Sequence, residues 1–321
     1  MHTAIVKAFK KYHLFGFTGT PIFSANAGSA GNPVLRTTEQ AFGEKLHTYT
    51  IVDAITDKNV LPFRIDYVNT IKLPPGVTDK QVSAIDTESA LLSATRVRQV
   101  VEYTLEHFDK KTKRAEYYAV AGKRLRGFNA LFATASITAA RTYYREFADQ
   151  QKDLSEAQRL KVGLIYSYAA NEAVADGILE EEEFETQALS SDARTFLEGA
   201  IQDYNAMFGM NFSTSADKFQ DYYKDLSLRV KNRELDLVIV VNMFLTGFDA
   251  TTLNTLWVDK NLRAHGLVQA FSRTNRILNS VKTYGNIVSF RDLEEQTNDA
   301  IALFGNKNAG GIVRGGCPGL G

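Results

Sequence analysis

Gln269, Arg273 and Arg276, within the stretch LVQAFSRTNRI from Leu267 to Ile277, are the residues whose types and spacing point most directly to chemistry. At i, i+4 and i+7 they would share one face of a helix, with Leu267, Phe271 and Leu278 on the opposite, buried face. From Lys260 to Arg291 there are six Lys and Arg and no Asp or Glu, so the two arginines have no local carboxylate. Two guanidinium forks and an amide on one face suit an anion, and a polyphosphate fits best. The alternative is a basic face that is merely solvated, or paired with acids elsewhere in the fold.

Two further segments carry residues of the same character. Thr246-Gly247-Phe248-Asp249 lies just beyond the apolar run Asp236–Val241 (DLVIVV) and combines a hydroxyl, a glycine that permits close backbone approach and a carboxylate. Thr18-Gly19-Thr20-Pro21 follows His13–Phe17 (HLFGF), which reads as a short buried strand. Taken singly, the first could be a helix cap and the second an ordinary turn. Phosphate chemistry in α/β proteins gathers on the loops at the carboxyl ends of strands, so all three segments are expected on one rim of a sheet.

The elements that must hold them follow from periodicity. A helix is expected around Ile51–Asp57, a strand at Pro62–Val68, a turn at Pro74-Pro75-Gly76 and a long helix over Thr87–Lys110. From Gly127 strands and helices alternate. The strands are Phe128–Ala133, Val162–Tyr166, Asp236–Val241, Thr255–Asp259 and Asn286–Phe290. The helices are Ile137–Phe147, Ser190–Met207, Ser215–Lys231 and the basic one. That alternation predicts an α/β fold with a central, mainly parallel sheet and helices on both faces. Ile22–Gly43 reads as a loop or linker, and the acidic run Leu179–Glu185 as a solvated insertion. Asp292–Phe304 begins a new helix, and Gly310–Gly321 is half glycine and unsuited to packing a core.

Composition sets bounds. The 321 residues are 44% hydrophobic and 23% charged with zero net charge, so no global field draws nucleic acid and any such binding must use local patches. The lone cysteine, Cys317, excludes a disulfide scaffold and a cysteine-based zinc site; no metal-ligand set is expected elsewhere. No apolar run approaches a membrane span and the N-terminus lacks a secretory core, so the expected location is cytoplasmic.

Several of these segments resemble the motifs of superfamily two helicases and translocases. GFTGTP resembles motif III, FNALFATASITAARTYY motif IV, VVNMFLTGFDA motif V and HGLVQAFSRTNRI motif VI. The last two, with TLNTLWVDKN between them, are similar to the motor subunit (HsdR) of type I restriction-modification enzymes, as are LHTYTIVDAITDKNVLPFRIDY and FQDYYKDLSLRVKNRELDL. The resemblance runs from about Met1 to Asn308.

It implies a DNA translocase with two RecA-like lobes and ATP between them. Residues 1–25 would end the first lobe, 26–60 form a linker and helix, 61–290 form the second lobe, and 291–321 start a helical region with an atypical tail. Arg273 and Arg276 would be arginine fingers, and Gln269 would position water or sense the γ-phosphate. Gly247 and Asp249 would contact the nucleotide, Thr246 and Ser136 would touch DNA phosphates, and Thr18, Gly19 and Thr20 would couple the lobes. Mg²⁺ ligands would lie mostly on the first lobe. Double-stranded DNA and the methyltransferase and specificity subunits would be the partners.

No G-x-x-x-x-G-K-[ST], no Asp-Glu dipeptide and no nuclease cluster occurs, so the chain reads as a piece of such an enzyme. The isolated polypeptide would then be a non-catalytic α/β module with weak DNA or subunit contacts. An unrelated small-molecule enzyme would need a compact glycine-rich nucleotide loop after the first strand, and GFTGTP is not one.

Overall fold

The computed structural model describes residues 7–18, 21–24, 27, 36–68, 70, 90–120, 122–167, 189–304 and, for the backbone, 313–315. Seven strands form one parallel sheet: β1 (Phe63–Tyr67), β4 (Asn129–Thr134), β5 (Val162–Ile165), β6 (Leu237–Val240), β7 (Leu253–Asp259), β8 (Gly285–Ser289) and β9 (Val313–Gly315), in the spatial order β5-β6-β4-β7-β8-β1-β9. Strands β2 (Tyr117–Val120) and β3 (Lys123–Arg126) form a separate antiparallel hairpin. The helices are α1 (Thr38–Phe42), α2 (Ile51–Thr56), α3 (Ala94–Lys111), α4 (Ile137–Gln151), α5 (Ser191–Phe208), α6 (Ala216–Lys231), α7 (Ala264–Phe271) and α8 (Glu294–Phe304).

Every residue of β4, β6, β7 and β8 is buried, as expected for parallel strands covered on both faces. Register is continuous across the middle: Phe132 lies between Ile239 of β6 and Trp257 of β7, and Trp257 lies against Val288 of β8. Parallel crossovers are right-handed. The steps from β1 to β4 and from β4 to β5 run one way along the sheet and put α3 and α4 together on one face, where they pack on each other. The steps from β5 to β6 and from β7 to β8 run the other way and put α6 and α7 on the opposite face, with α8 against α7. This is the arrangement expected of a RecA-like domain.

Four sequence expectations change. His13–Phe17 has no regular secondary structure and joins no described sheet, and Phe15 and Phe17 are 64% and 98% exposed. An isolated segment has no ladder to pair its backbone, so apolar content alone does not make it a strand. The stretch read as linker contains α1, whose capping box (Thr37 and Gln40) was visible as T-x-x-Q. The long helix begins at Ala94, and its predicted start at residues 87–89 lies outside the described residues. In the glycine-rich tail, Val313–Gly315 pairs with β1 as an edge strand, because backbone ladder bonds need no side chain. The expected turn at Pro74-Pro75-Gly76 and the acidic run Leu179–Glu185 lie outside the described residues. No described helix is long and apolar enough to cross a membrane.

Candidate functional site

The route of the chain on the α6 and α7 face builds the site. A parallel strand that ends at one rim must return to the other before the next can start. Between β6 and β7 no helix does this; residues 241–252 travel back as irregular backbone, anchored by buried Phe244 and Phe248 stacked at 4.2 Å. Helix α7 makes the same journey after β7. Its eight residues cover about 12 Å at 1.5 Å each, enough to carry the chain back along the strands. The second half of each return path ends near the amino ends of the strands.

Helix α7 therefore stops at Phe271, and Arg273 and Arg276 lie in the turn beyond it. The shared helical face expected for Gln269, Arg273 and Arg276 does not form, and Leu278 is likewise past the helix; the pairing of buried Leu267 and Phe271 does hold. The physical reason is packing: Thr274 is fully buried against Gly285, the first residue of β8, where a Cβ would come 2.2 Å from the Thr274 Oγ1. Asn275 is pinned as well, exchanging hydrogen bonds with Leu61 just before β1: the Leu61 N–H donates to its carbonyl at 2.8 Å and its Nδ2 donates to the Leu61 carbonyl at 3.2 Å. A helix continued through these residues could not make those contacts.

The turn nonetheless meets the Thr246–Asp249 segment. Arg273 donates from Nε to its own helix at the Gln269 carbonyl (3.0 Å) and from Nη1 to the Phe248 carbonyl. Arg276 Nε lies 3.3 Å from Asp249 Oδ1, with the two side chains 43% and 59% exposed. The absence of a local acid in the sequence thus did not leave Arg276 unpaired: the acid arrives from the preceding crossover. The pair is exposed enough to be worth about 0–1 kcal/mol, so exchanging the carboxylate for another anion costs little.

Lys282, which no sequence signal singled out, fixes the exit of the segment. It is 1% exposed, and its ammonium donates to the carbonyls of Thr251 (2.9 Å) and Leu253 (2.7 Å). Burial pushes its pKa down to about 7, with Asp249 opposing and Arg276 adding to the shift. Arg273, Arg276, Lys282 and residues 248–253 therefore form one contiguous cluster beside the amino ends of β7 and β8. The expectation of a shared carboxyl rim is corrected: both arginines and the Phe248–Asp249 end of the turn lie at the far end of their crossovers.

The remaining candidates separate. Gly247 has φ +66°, and no atom lies within 4 Å of where its Cβ would be. Glycine is thus needed for left-handed backbone, and not for close approach by another part of this chain. Gln269 is half-buried on α7. Ser136 caps α4 at the carboxyl end of β4, its Oγ accepting the Ala139 N–H at 3.1 Å, and is not part of the cluster. Thr18 is exposed, while Gly19 and Thr20 lie outside the described residues. Among the described residues no three His, Cys, Asp or Glu side chains converge as a metal site.

At the carboxyl end of β7 stands a second charged group that the sequence reading missed. Asp259 is fully buried and accepts four side-chain hydrogen bonds, from Arg96 Nη1 (3.0 Å), Arg96 Nη2 (2.7 Å), Tyr143 (2.6 Å) and Arg291 Nε (2.7 Å). Burial opposes ionisation, but the Arg96 hydrogen bonds and the charges of Arg291 and Arg96 hold the Asp259 carboxyl below its ordinary range. Lys260 beside it, donating to Asn242 Oδ1 at 2.8 Å, is pushed down to about 8 by burial and by Arg291.

Residues 126–292, more than half of the chain, match the family model for type I restriction enzyme subunit R domain 3. The chain belongs to this family. Residues 1–102 also match a SWI2/SNF2 ATPase model. Similar R-family relatives include the type I restriction enzyme SauMRSORF196P endonuclease subunit of Staphylococcus aureus (strain MRSA252), 40% identical over 96% of this chain and 31% of the relative. The SsaAORF53P endonuclease subunit of Staphylococcus saprophyticus is 43% identical over 95% of this chain and 30% of its own length. The HindI endonuclease subunit of Haemophilus influenzae is 24% identical over 92% of this chain and 24% of its own. The chain spans about a third of the length of the first two relatives.

Proposed function

We propose that this chain supplies the second motor lobe of a type I restriction enzyme R subunit, where ATP hydrolysis drives movement of duplex DNA before cleavage. The observation that carries the reading is the contact of Arg273 and Arg276 with the Thr246–Asp249 turn, in a chain that belongs to the R-subunit family. Residues 61–290 form the lobe, residues 1–25 end the lobe before it, residues 26–60 join them and residues 291–321 lead onward. Exposed Phe15 and Phe17 fit a strand whose neighbours belong to that preceding lobe.

The donors present suit ATP phosphates. Arg276 reaches the γ-phosphate by exchanging Asp249 for it, and stabilises charge that develops as the phosphoryl group transfers to water; such fingers are worth about 10³ to 10⁵ in rate. Arg273, held by two backbone carbonyls, transmits the position of the turn to α7 and Gln269. Gly247 and Asp249 lie beside the nucleotide, Thr246 and Ser136 contact DNA phosphates, and Thr18, Gly19 and Thr20 couple the lobes. The phosphate-cradling loop and the Mg²⁺ carboxylates belong to the other lobe, since no G-x-x-x-x-G-K-[ST] occurs in this sequence. Partners are duplex DNA and the methyltransferase and specificity subunits. Read as an isolated polypeptide, the chain is an α/β module without its own turnover.

The test uses the complete subunit. Arg276→Ala is expected to lower DNA-stimulated ATP hydrolysis by at least about 10³-fold while leaving DNA affinity unchanged, because the guanidinium acts mainly in the transition state. Parallel loss of DNA binding and hydrolysis would instead make Arg276 a DNA-backbone contact.

A further inference from the structure

The hairpin β2–β3 takes no part in the site above, and its two faces differ. On one face Tyr118 is buried, stacks on Phe128 at 4.8 Å and donates to the Gly127 carbonyl at 2.8 Å, which docks the hairpin on the domain. On the other, Arg124 and Arg126 alternate along β3 and flank Tyr117, which is 52% exposed. Their guanidinium carbons lie 4.3 and 5.8 Å from the Tyr117 ring centre. Stacking on an aromatic ring orders a guanidinium without neutralising it.

This face forms one wall of an open groove of about 720 Å³. Five cations line it: Arg114, Arg124, Arg126, Lys161 and Arg233. Its two carboxylates are already engaged, Asp236 by Arg233 (2.8 Å) and Arg114 (3.9 Å), and Glu234 by Arg229 (2.6 Å). Arg124, Arg126 and Lys161 have no carboxylate within ion-pair distance among the described residues. In a chain of zero net charge, this is a concentrated surplus of positive charge.

We propose that this groove binds the phosphodiester backbone of duplex DNA, as a contact separate from the Arg276 cluster. Residues two apart on a strand project about 7 Å apart, on the order of the spacing between neighbouring phosphates of one nucleic-acid strand. The groove is lined by guanidinium and ammonium donors and not by the Tyr117 ring, and phosphates carry the same charge at every base step. The contact is therefore independent of base sequence. Because the cations are pre-ordered, binding releases counterions at low conformational cost.

The test is fluorescence anisotropy of labelled duplexes of unrelated sequence with the full chain, without nucleotide, at about 50 and 200 mM salt. Arg124→Glu/Arg126→Glu is expected to weaken binding at least tenfold and to reduce the log–log salt slope by about 2, since each lost phosphate contact removes about 0.9. Arg126 also donates to the Arg114 carbonyl at 2.9 Å, so the double variant could disturb the hairpin. Arg124→Glu alone avoids that contact and should reduce the slope by about 1. Lys218→Glu, a charge reversal at the opposite end of α6 from the groove, should leave the slope unchanged. Unchanged affinity and slope in both arginine variants would overturn the proposal. So would equal competition by polyglutamate at matched charge, which would make the groove a dock for an acidic protein. Because no ATP enters the assay, its failure does not bear on the Arg276 reading.

Discussion

Replacing Asp259 by Asn changes one oxygen to a nitrogen and should be the most damaging conservative substitution in this chain. The wild-type carboxylate compensates two buried guanidiniums, Arg96 at 4% and Arg291 at 7% exposure. The amide keeps one acceptor oxygen but turns an N–H pair towards donors that now lack an acceptor. Two positive charges are left with no counter-charge. Removing one member of a buried ionic cluster costs about 3–5 kcal/mol, largely from the desolvated charge left behind. Arg96 keeps hydrogen bonds to the Leu91 and Phe290 carbonyls (2.7 and 3.1 Å) and to Thr70 Oγ1 (2.8 Å), which places the expectation at the lower end, about 3 kcal/mol. Urea denaturation at pH 7 measures it. The acid limb supplies a second readout. The folded carboxyl pKa lies below its unfolded value, so its contribution is present above the unfolded pKa and fades as pH falls through the folded one. Wild type should therefore converge on the Asn variant in acid. A loss below about 1 kcal/mol, within the range of a surface ion pair, would refute the reasoning that these guanidiniums depend on Asp259.

Three further outcomes follow from the candidate site. Gly247→Ala forces a Cβ into left-handed backbone, so stability should fall by about 1–2 kcal/mol with no steric clash, and Gly247→Asn should recover part of it; equal losses for both in urea melts would contradict this. Lys282 is pushed down to about 7, so between pH 7 and its ordinary value the unfolded chain holds the extra proton and stability rises with pH. Lys282→Met should remove up to about 1.4 kcal/mol per pH unit of that rise, and an unaltered pH slope would place the ammonium in water. Arg273→Lys in the complete subunit should impair ATP hydrolysis as well, because all donors of an ammonium sit on one atom at the end of the side chain and cannot occupy the separate Nε and Nη1 positions from which the planar fork reaches the two carbonyls; wild-type rates would show that the tie is dispensable.

The fully apolar run of β6, the helical periods of α4, α5 and α6, and the alternation of strands and helices were legible in the sequence. Burial on both faces of a parallel sheet and on one face of a helix leaves a direct residue-by-residue imprint. The family resemblance was legible for the same reason, since its motifs are contiguous words. Helix α1 was missed inside the stretch read as a linker, although its capping box, Thr37 with Gln40, lies within four residues. What local patterning could not contain was any pairing between distant segments. Whether His13–Phe17 is a strand depends on a neighbour, whereas Val313–Gly315 is one because β1 lies beside it.

The site shows the same division. The types of Arg273, Arg276, Gly247 and Asp249 were evident from the chain alone, as was the lack of acid around the arginines. Their arrangement was set by tertiary constraints. Gly285 admits Thr274 so closely that the helix must end before the arginines, and the helix-free crossover from β6 delivers Asp249 to Arg276. Lys282 and Asp259 looked like ordinary charged residues because burial is a property of the packed sheet, not of a residue's sequence neighbours. Sequence determined which groups could meet a phosphate; the return paths of two crossovers decided where along the sheet they meet.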